Sequence, residues 1–302
     1  MTSPGRVLRV TACAVSLFLA YGLGFAMSAK PATTRTKTYE PAAHRQGLLE
    51  EATDRIADEA ADPVTRSALR EAAITAMLKR LGDPWARYYP AVDYDDFSRW
   101  LNGDSKRVSA EPEESDVSVR TKKNVTFIRV AVFTRGAGAK VRAAVPHGSP
   151  GVILDLRGNP GGLLDEAVDT ASVFLTDGPV VTYEKRGAAP ELLKVTKPGD
   201  DRIPLVVLVD GGTASAAEIV AGSLRDRDRA VIIGSRTFGK GTVQEPVLLA
   251  DGSAVELTVG RYRTPDGRNL EGSGIEPDVQ VPVPGDAERR AVDVLNGLTG
   301  HK

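Results

Sequence analysis

The sequence predicts an α/β fold with a mostly parallel central sheet, preceded by a small helical N-terminal region. Three observations carry this. Apolar runs at residues 151–156, 204–209 and 230–233 are each too short for a helix and are bounded by glycine-rich turns, as buried strands are. Between them lie Ala-rich segments of helical periodicity, and strand alternating with helix favours parallel pairing. Ahead of them, apolar residues from His44 to Leu81 recur at the three- and four-residue spacing of helices.

Residues 1–30 open with Arg6 and Arg9 and then run uncharged from Val10 to Met27, the pattern of an export signal or of an uncleaved membrane anchor. Ala26-Met27-Ser28 offers a small-residue cleavage site, yet the apolar run is long for a signal peptide, so both readings stand. Either one expects the remainder outside the cytoplasmic membrane of a bacterial cell. Cys13 precedes the apolar region instead of following it, which argues against a lipoprotein. Residues 31–43 have the polar, Pro/Thr/Lys-rich composition of a linker.

The helical region spans 44–103. Its periodicity breaks near Asp62-Pro63, giving two helices, and L-G-D-P-W-A-R-Y-Y-P (81–90) and D-Y-D-D-F-S-R-W-L (93–101) follow. Trp85, Tyr88, Tyr89, Phe97 and Trp100 read as aromatic packing residues. Residues 104–124 are acidic and loop-like. The core, 125–285, opens with a strand at 125–133 and a helix at 137–145. The strand at 151–156 leads through a Gly-rich turn into a helix at 163–175. A hairpin at 179–185 and 191–195 precedes the strand at 204–209, the helix opening near Ser215 and the strand at 230–233. A second hairpin, 243–249 with 253–259, turns at Asp251-Gly252, and 261–278 is turn-rich. Residues 286–302 form a terminal helix and tail.

With 302 residues, 41% of them hydrophobic, the chain can fill one large core or two small ones. Lys and Arg total 39 against 40 Asp and Glu, so no global charge points to nucleic acid. The single cysteine excludes a disulfide framework and a Cys-rich metal site.

Two residues suggest chemistry. Ser215 stands where a strand turns into a helix, among backbone N–H groups that lack intrahelical partners and can stabilise an oxyanion, that of Ala216 first. A serine hydroxyl needs a base. His44, His147 and His301 have no triad-like setting. A lysine becomes a base when burial disfavours its charged form, and Lys240, between glycines and after Phe238, is the candidate. A plainer reading stands beside this one: Ser215-Ala-Ala-Glu218 is also a capping box, and Lys240 also suits a solvated loop. Likewise Asn159-Pro-Gly-Gly162 is either ordinary turn chemistry or a source of exposed N–H groups facing the Ser215 turn.

The order of T-A-S-A-A-E (213–218) and F-G-K-G-T-V-Q (238–244) resembles the carboxyl-terminal processing peptidase family, the tail-specific Ser/Lys proteases related to the tricorn core. The likeness extends upstream to D-L-R-G-N-P-G-G (155–162) and downstream to R-Y-R-T-P-D-G-R-N-L-E-G-S-G-I-E-P-D (261–278). The resemblance implies a ClpP/crotonase-like core, Ser215 as nucleophile, Lys240 as general base, Gln244 as the residue that orients the lysine, and oxyanion donors from the backbone near Gly161 and Gly162 beside Ala216. Most members insert a PDZ domain after the helical region. Residues 104–124 are too few for one, so tail-specific recognition and PDZ gating are not carried over.

The function expected is that of a serine endopeptidase acting through an acyl-enzyme on extended protein or peptide substrates outside the cytoplasm. It expects no metal, no cofactor and no nucleic acid, and leaves room for an adaptor in place of the PDZ domain and for membrane attachment through residues 1–30. Two other classes stay open: a non-catalytic peptide-binding or scaffolding module on the same fold, and a crotonase-type acyl-CoA enzyme, which would need no Ser/Lys pair.

Overall fold

A computed structural model describes residues 47–103, 116–122, 124–146 and 148–300. The proposed signal or anchor, the linker, and His44, His147 and His301 lie outside the described residues. Among those described, no helix is long and apolar enough to cross a membrane.

The helical region is α1 (Leu48–Glu59), α2 (Arg66–Leu81), a short strand β1 (Arg87–Tyr89) and α3 (Ala91–Leu101). Thr65 caps α2 by accepting the N–H of Ala68, and Gly82 ends it in the left-handed conformation, so both boundaries follow from local chemistry. The expected aromatic packing is present: Tyr89 stacks on Phe97 at 5.5 Å between ring centroids. The apolar stripe of α1 is not buried, however, and Leu48 and Leu49 are 83% and 56% exposed.

The core holds β2 (Val117–Lys122), β3 (Val125–Val130), α4 (Ala137–Ala144), β4 (Val152–Asp155), α5 (Leu164–Ala171), β5 (Pro179–Lys185), β6 (Glu191–Lys194), β7 (Leu205–Val209), α6 (Ala216–Asp226), β8 (Val231–Gly234), β9 (Thr242–Leu248), β10 (Ala254–Arg263), β11 (Val279–Gln280) and α7 (Ala287–Thr299). The central sheet runs β11-β8-β7-β4-β3-β2. All its pairings are parallel except β2 with β3. The mostly parallel sheet is therefore as expected, but β2 corrects the reading of 104–124 as loop throughout. Val117-Ser-Val-Arg-Thr-Lys122 carries only a short alternation, and only Val117 is buried.

Successive residues of a strand point to opposite faces, and here both faces are covered. Ile128, Leu154, Val207 and Ile232 join α4, α5 and α6 in one cluster. Phe127, Ile153, Val206 and Ile233 meet Ala287, Ala291 and Leu295 of α7 in the other. That is why β4 and β7 are continuous apolar runs.

A second, antiparallel sheet runs β1-β10-β5-β6, with β9 also on β10. Both expected hairpins belong to it. Through β1 the helical region is joined to the core, Arg87 pairing with Glu256 and Tyr89 with Ala254.

Candidate active site

The nucleophile candidate stands at a strained corner. Ser215 has φ +54° and ψ −120°, a backbone state outside the ordinary regions for a side-chain-bearing residue. Such a residue costs about 1–3 kcal/mol and persists where its surroundings fix it. Here they do. Asp210 Oδ1 accepts the N–H of Gly158 at 2.8 Å and of Gly212 at 2.9 Å. Thr213 Oγ1 donates to Leu156 O at 2.9 Å, and Ala214 N–H donates to Asn159 O at 2.9 Å. The Ser215 turn and the Gly158–Gly162 turn are thus stitched together.

Ser215 does not act as a side-chain cap. Glu218 Oε2 accepts the Ser215 N–H at 2.9 Å, but the N–H of Glu218 returns to the Ser215 carbonyl at 2.8 Å, not to its hydroxyl. The hydroxyl is wholly buried and makes no hydrogen bond with any described residue, Lys240 included.

Glu218 is wholly buried and also receives Thr237 Oγ1 at 2.5 Å, Gly239 N–H at 2.8 Å and Lys240 N–H at 2.8 Å. Burial pushes its pKa up, against these four donors. The loop after β8 is further held by Phe238 N–H on Thr213 O at 3.0 Å and Thr237 N–H on Ile275 O at 3.1 Å. The buried Tyr262 hydroxyl donates to the Lys240 carbonyl, and burial raises that phenol well above its ordinary range.

The Lys240 side chain is wholly buried, with its amine 4.5 Å from the centre of the Trp85 ring. Burial lowers its pKa from 10.5 to about 8; the Glu256 carboxylate works the other way. Glu256, 2% exposed, is itself pushed up to about 7 by burial, opposed by the Tyr89 hydroxyl, which donates to it at 3.0 Å. Gln244 is wholly buried two strand positions from Thr242. Its Nε2 donates to Thr242 Oγ1 at 2.9 Å and Thr258 Oγ1 at 3.1 Å, leaving Oε1 buried with no hydrogen-bond partner among the described residues.

The two candidate glycine donors differ. Gly161 N–H is committed to Asn159 Oδ1 at 2.7 Å. Among the described residues no hydrogen bond engages the N–H of Gly162, and Ala216, first residue of α6, has no intrahelical acceptor for its own. Gly162 has φ +139°, and a Cβ there would stand 2.2 Å from Phe133 O, so only glycine fits.

Sequence reasoning missed Trp85 and Glu256 as neighbours of Lys240, and saw in Glu218 only a cap. Trp85 reads in the sequence as a packing residue of the 81–90 stretch, and nothing local says what it faces. A cleft of about 830 Å³ lies elsewhere, lined by Arg225, Arg229 and Arg268 among others. These arginines are satisfied by Asp278, by backbone carbonyls and by Asp226, and the cleft contains none of the residues above.

A strained buried serine, a buried lysine and a pair of stitched glycine turns thus stand together on a mostly parallel α/β sheet. The sequence matches the model of peptidase family S41 over residues 124–281, and the chain belongs to that family. It is 38% identical over 198 residues to a carboxy-terminal-processing protease of Bartonella bacilliformis, covering 61% of this chain and 46% of that protein. It is 38% identical over 178 residues to the carboxy-terminal processing protease CtpA of Bacillus subtilis, covering 57% and 38%. The chain thus spans less than half of each relative's length. In fold it is similar to the photosystem II D1 C-terminal processing protease (TM-score 0.62, 23% identity, 78% of this chain and 92% of that one). A lipoprotein from Streptococcus agalactiae is also similar (TM-score 0.60, 17% identity, 82% and 90%).

Proposed function

We propose that this chain is a serine endopeptidase with Ser215 as nucleophile and Lys240 as general base. The observation that carries the reading is that a serine and a lysine, both wholly buried, hang by their backbones from one carboxylate oxygen of Glu218. Ser215 Oγ attacks the peptide carbonyl as its proton passes to neutral Lys240. The N–H groups of Gly162 and Ala216 receive the developing oxyanion. As the C–N bond breaks, the Lys240 ammonium returns its proton to the leaving amine, and the acyl group stays on Ser215 as an ester. Water then attacks the ester as Lys240 takes its proton; the C–Oγ bond breaks, the Lys240 ammonium returns the proton to Ser215 Oγ, and the carboxylic acid product leaves. Gln244, fixed by Thr242 and Thr258, offers Oε1 as the acceptor that orients the amine.

Because Ser215 Oγ makes no hydrogen bond in the resting geometry, the reaction requires Oγ and Nζ to close to about 2.6–3.2 Å once substrate is bound. The substrate is an extended protein segment held by main-chain hydrogen bonds along an open strand edge. The chain acts outside the cytoplasmic membrane, exported or anchored by residues 1–30, with an adaptor presenting substrate in place of a PDZ domain.

The test is hydrolysis of casein by the full chain beside Ser215→Ala and Lys240→Ala, with thermal unfolding in parallel. Loss of cleavage in both variants with folding retained supports the dyad. Full activity in Lys240→Ala sinks it.

A further inference from the structure

We propose that Trp85, delivered from the helical N-terminal region, is a positioning residue of the catalytic machinery: its indole is the wall that keeps water from the Lys240 amine. The inference rests on Lys240 being the general base. The Trp85 ring lies 4.5 Å from Nζ, and Phe238 meets the indole edge-on at 6.0 Å as an outer, 42% exposed cover.

The backbone that carries the indole is held by specific bonds, while the ring Nε1 makes none among the described residues. Asp83 Oδ1 accepts the Trp85 backbone N–H at 2.9 Å, closing the turn, while Asp83 Oδ2 accepts the Thr258 N–H of β10 at 3.1 Å. Two residues on, β1 joins β10 with Arg87 opposite Glu256. The same Thr258 holds Gln244 through its hydroxyl. One turn of the helical region therefore touches both the lysine and the support of its orienting amide.

Two effects of an indole on an amine oppose each other. Its face attracts an ammonium, which raises the pKa by about one pH unit when desolvated. Its bulk removes water, which lowers the pKa of a buried lysine by up to several units. Desolvation wins, and the ring still steadies the ammonium that forms once Ser215 has lost its proton. The charged groups facing the amine are Glu256 on β10, Arg87 on β1, Asp83 in the turn and Glu271 beyond β10. Glu218 and Tyr262 meet the Lys240 backbone.

The test is the pH dependence of kcat/KM for casein hydrolysis by the full chain, as wild type, Trp85→Ala, Trp85→Phe and Lys240→Met. Trp85→Ala is expected to move the acid limb up by one to two pH units, lowering kcat/KM at pH 7 by about 10- to 100-fold and recovering by pH 10, since each pH unit is tenfold in neutral amine. Trp85→Phe restores the wild-type limb. A Trp85→Ala limb at the wild-type position, or higher activity at pH 7, overturns the proposal while the dyad stands. Cleavage by Lys240→Met overturns the dyad itself.

A second measurement needs no substrate. The chain has two tryptophans, so Trp100→Phe leaves Trp85 as the sole indole. Its fluorescence is expected to step with a midpoint near pH 8, and the step to vanish on adding Lys240→Met. A pH-independent signal overturns the contact.

Discussion

Ser215 and Lys240 donate their backbone N–H groups to the same atom, Glu218 Oε2, at 2.9 and 2.8 Å. The relative position of the Ser215 turn and the Lys240 loop, the proposed nucleophile and base, is thus set by one carboxylate, buried and saturated with four donors. Glu218→Gln replaces half of those acceptors with an NH2 group that faces N–H groups instead of receiving them. With charge-assisted bonds contributing about 1.5–3 kcal/mol each, the variant is expected to lose about 3 kcal/mol of stability. A displacement of about 1 Å at either residue costs about 100-fold in rate. Denaturant unfolding and casein hydrolysis measure the two, and activity within a few fold of wild type would refute the clamp.

Burying a lysine destabilises the fold, and the pH range of that effect follows from its pKa. Lys240 falls from 10.5 to about 8. Between those values the unfolded chain holds a proton that the folded chain has released, so stability rises with pH through this window. Below pH 8 the folded state carries the whole penalty, about 3 kcal/mol from the size of the shift. Lys240→Met is therefore expected to be inactive yet more stable than wild type at pH 7, the advantage fading by pH 10.5. Melting curves of both proteins at pH 7 and pH 10.5 decide it, and a variant less stable at pH 7 contradicts it.

Much of this architecture was legible in the sequence because the determinants are local. β4 and β7 are buried on both faces, so they appear as unbroken apolar runs, and the Gly-rich turns after them mark where N–H groups become available. β2 was missed because it is a short edge strand with one buried residue. The joining of two hairpins and β1 into a second sheet depends on register between distant segments, which no local pattern encodes. The same holds within the site. Ser215, Lys240 and Gln244 sit in compact motifs, but the capping-box reading of Glu218 accounted for one of its four donors. Trp85 reads as a packing residue because packing is what it does, and only the fold reveals that it packs on an amine.

The glycine turn gives a matched pair of substitutions. At Gly162 a Cβ would overlap Phe133 O, and φ +139° suits only glycine, so Gly162→Ala must shift the backbone that bears the proposed oxyanion donor. At Gly158, φ +65°, nothing lies within 4 Å of an added Cβ. Gly158→Ala is expected to cost about 1–2 kcal/mol, the left-handed backbone penalty alone, and to change kcat/KM by less than about threefold. Gly162→Ala is expected to cost more in stability and to lower kcat by about 100-fold or more, the loss seen when an oxyanion donor is removed. Equal effects of the two on kcat would argue against a catalytic N–H at Gly162.

Glu256 sets the other side of Lys240's titration. Its carboxylate favours the ammonium, and burial holds its own pKa at about 7, close to the lysine's value of about 8. Two interacting groups this close titrate as a pair, so the acid limb of wild-type kcat/KM is expected to bend twice between pH 6 and 9. Glu256→Gln removes the charge that holds the proton on Lys240. The lysine's pKa then falls below 8, the limb moves to lower pH with a single inflection, and activity at pH 6.5 rises relative to its own plateau. The plateau falls, because the ammonium formed during proton transfer has lost its neighbouring anion. Tyr89→Phe acts in the same direction by a separate route: without the phenol's hydrogen bond at 3.0 Å the carboxylate is harder to ionise, so Glu256 stays neutral to higher pH and the lysine feels less of it. Were Glu256→Gln to move the limb upward, the carboxylate would be working as a proton acceptor and not as a charge beside one.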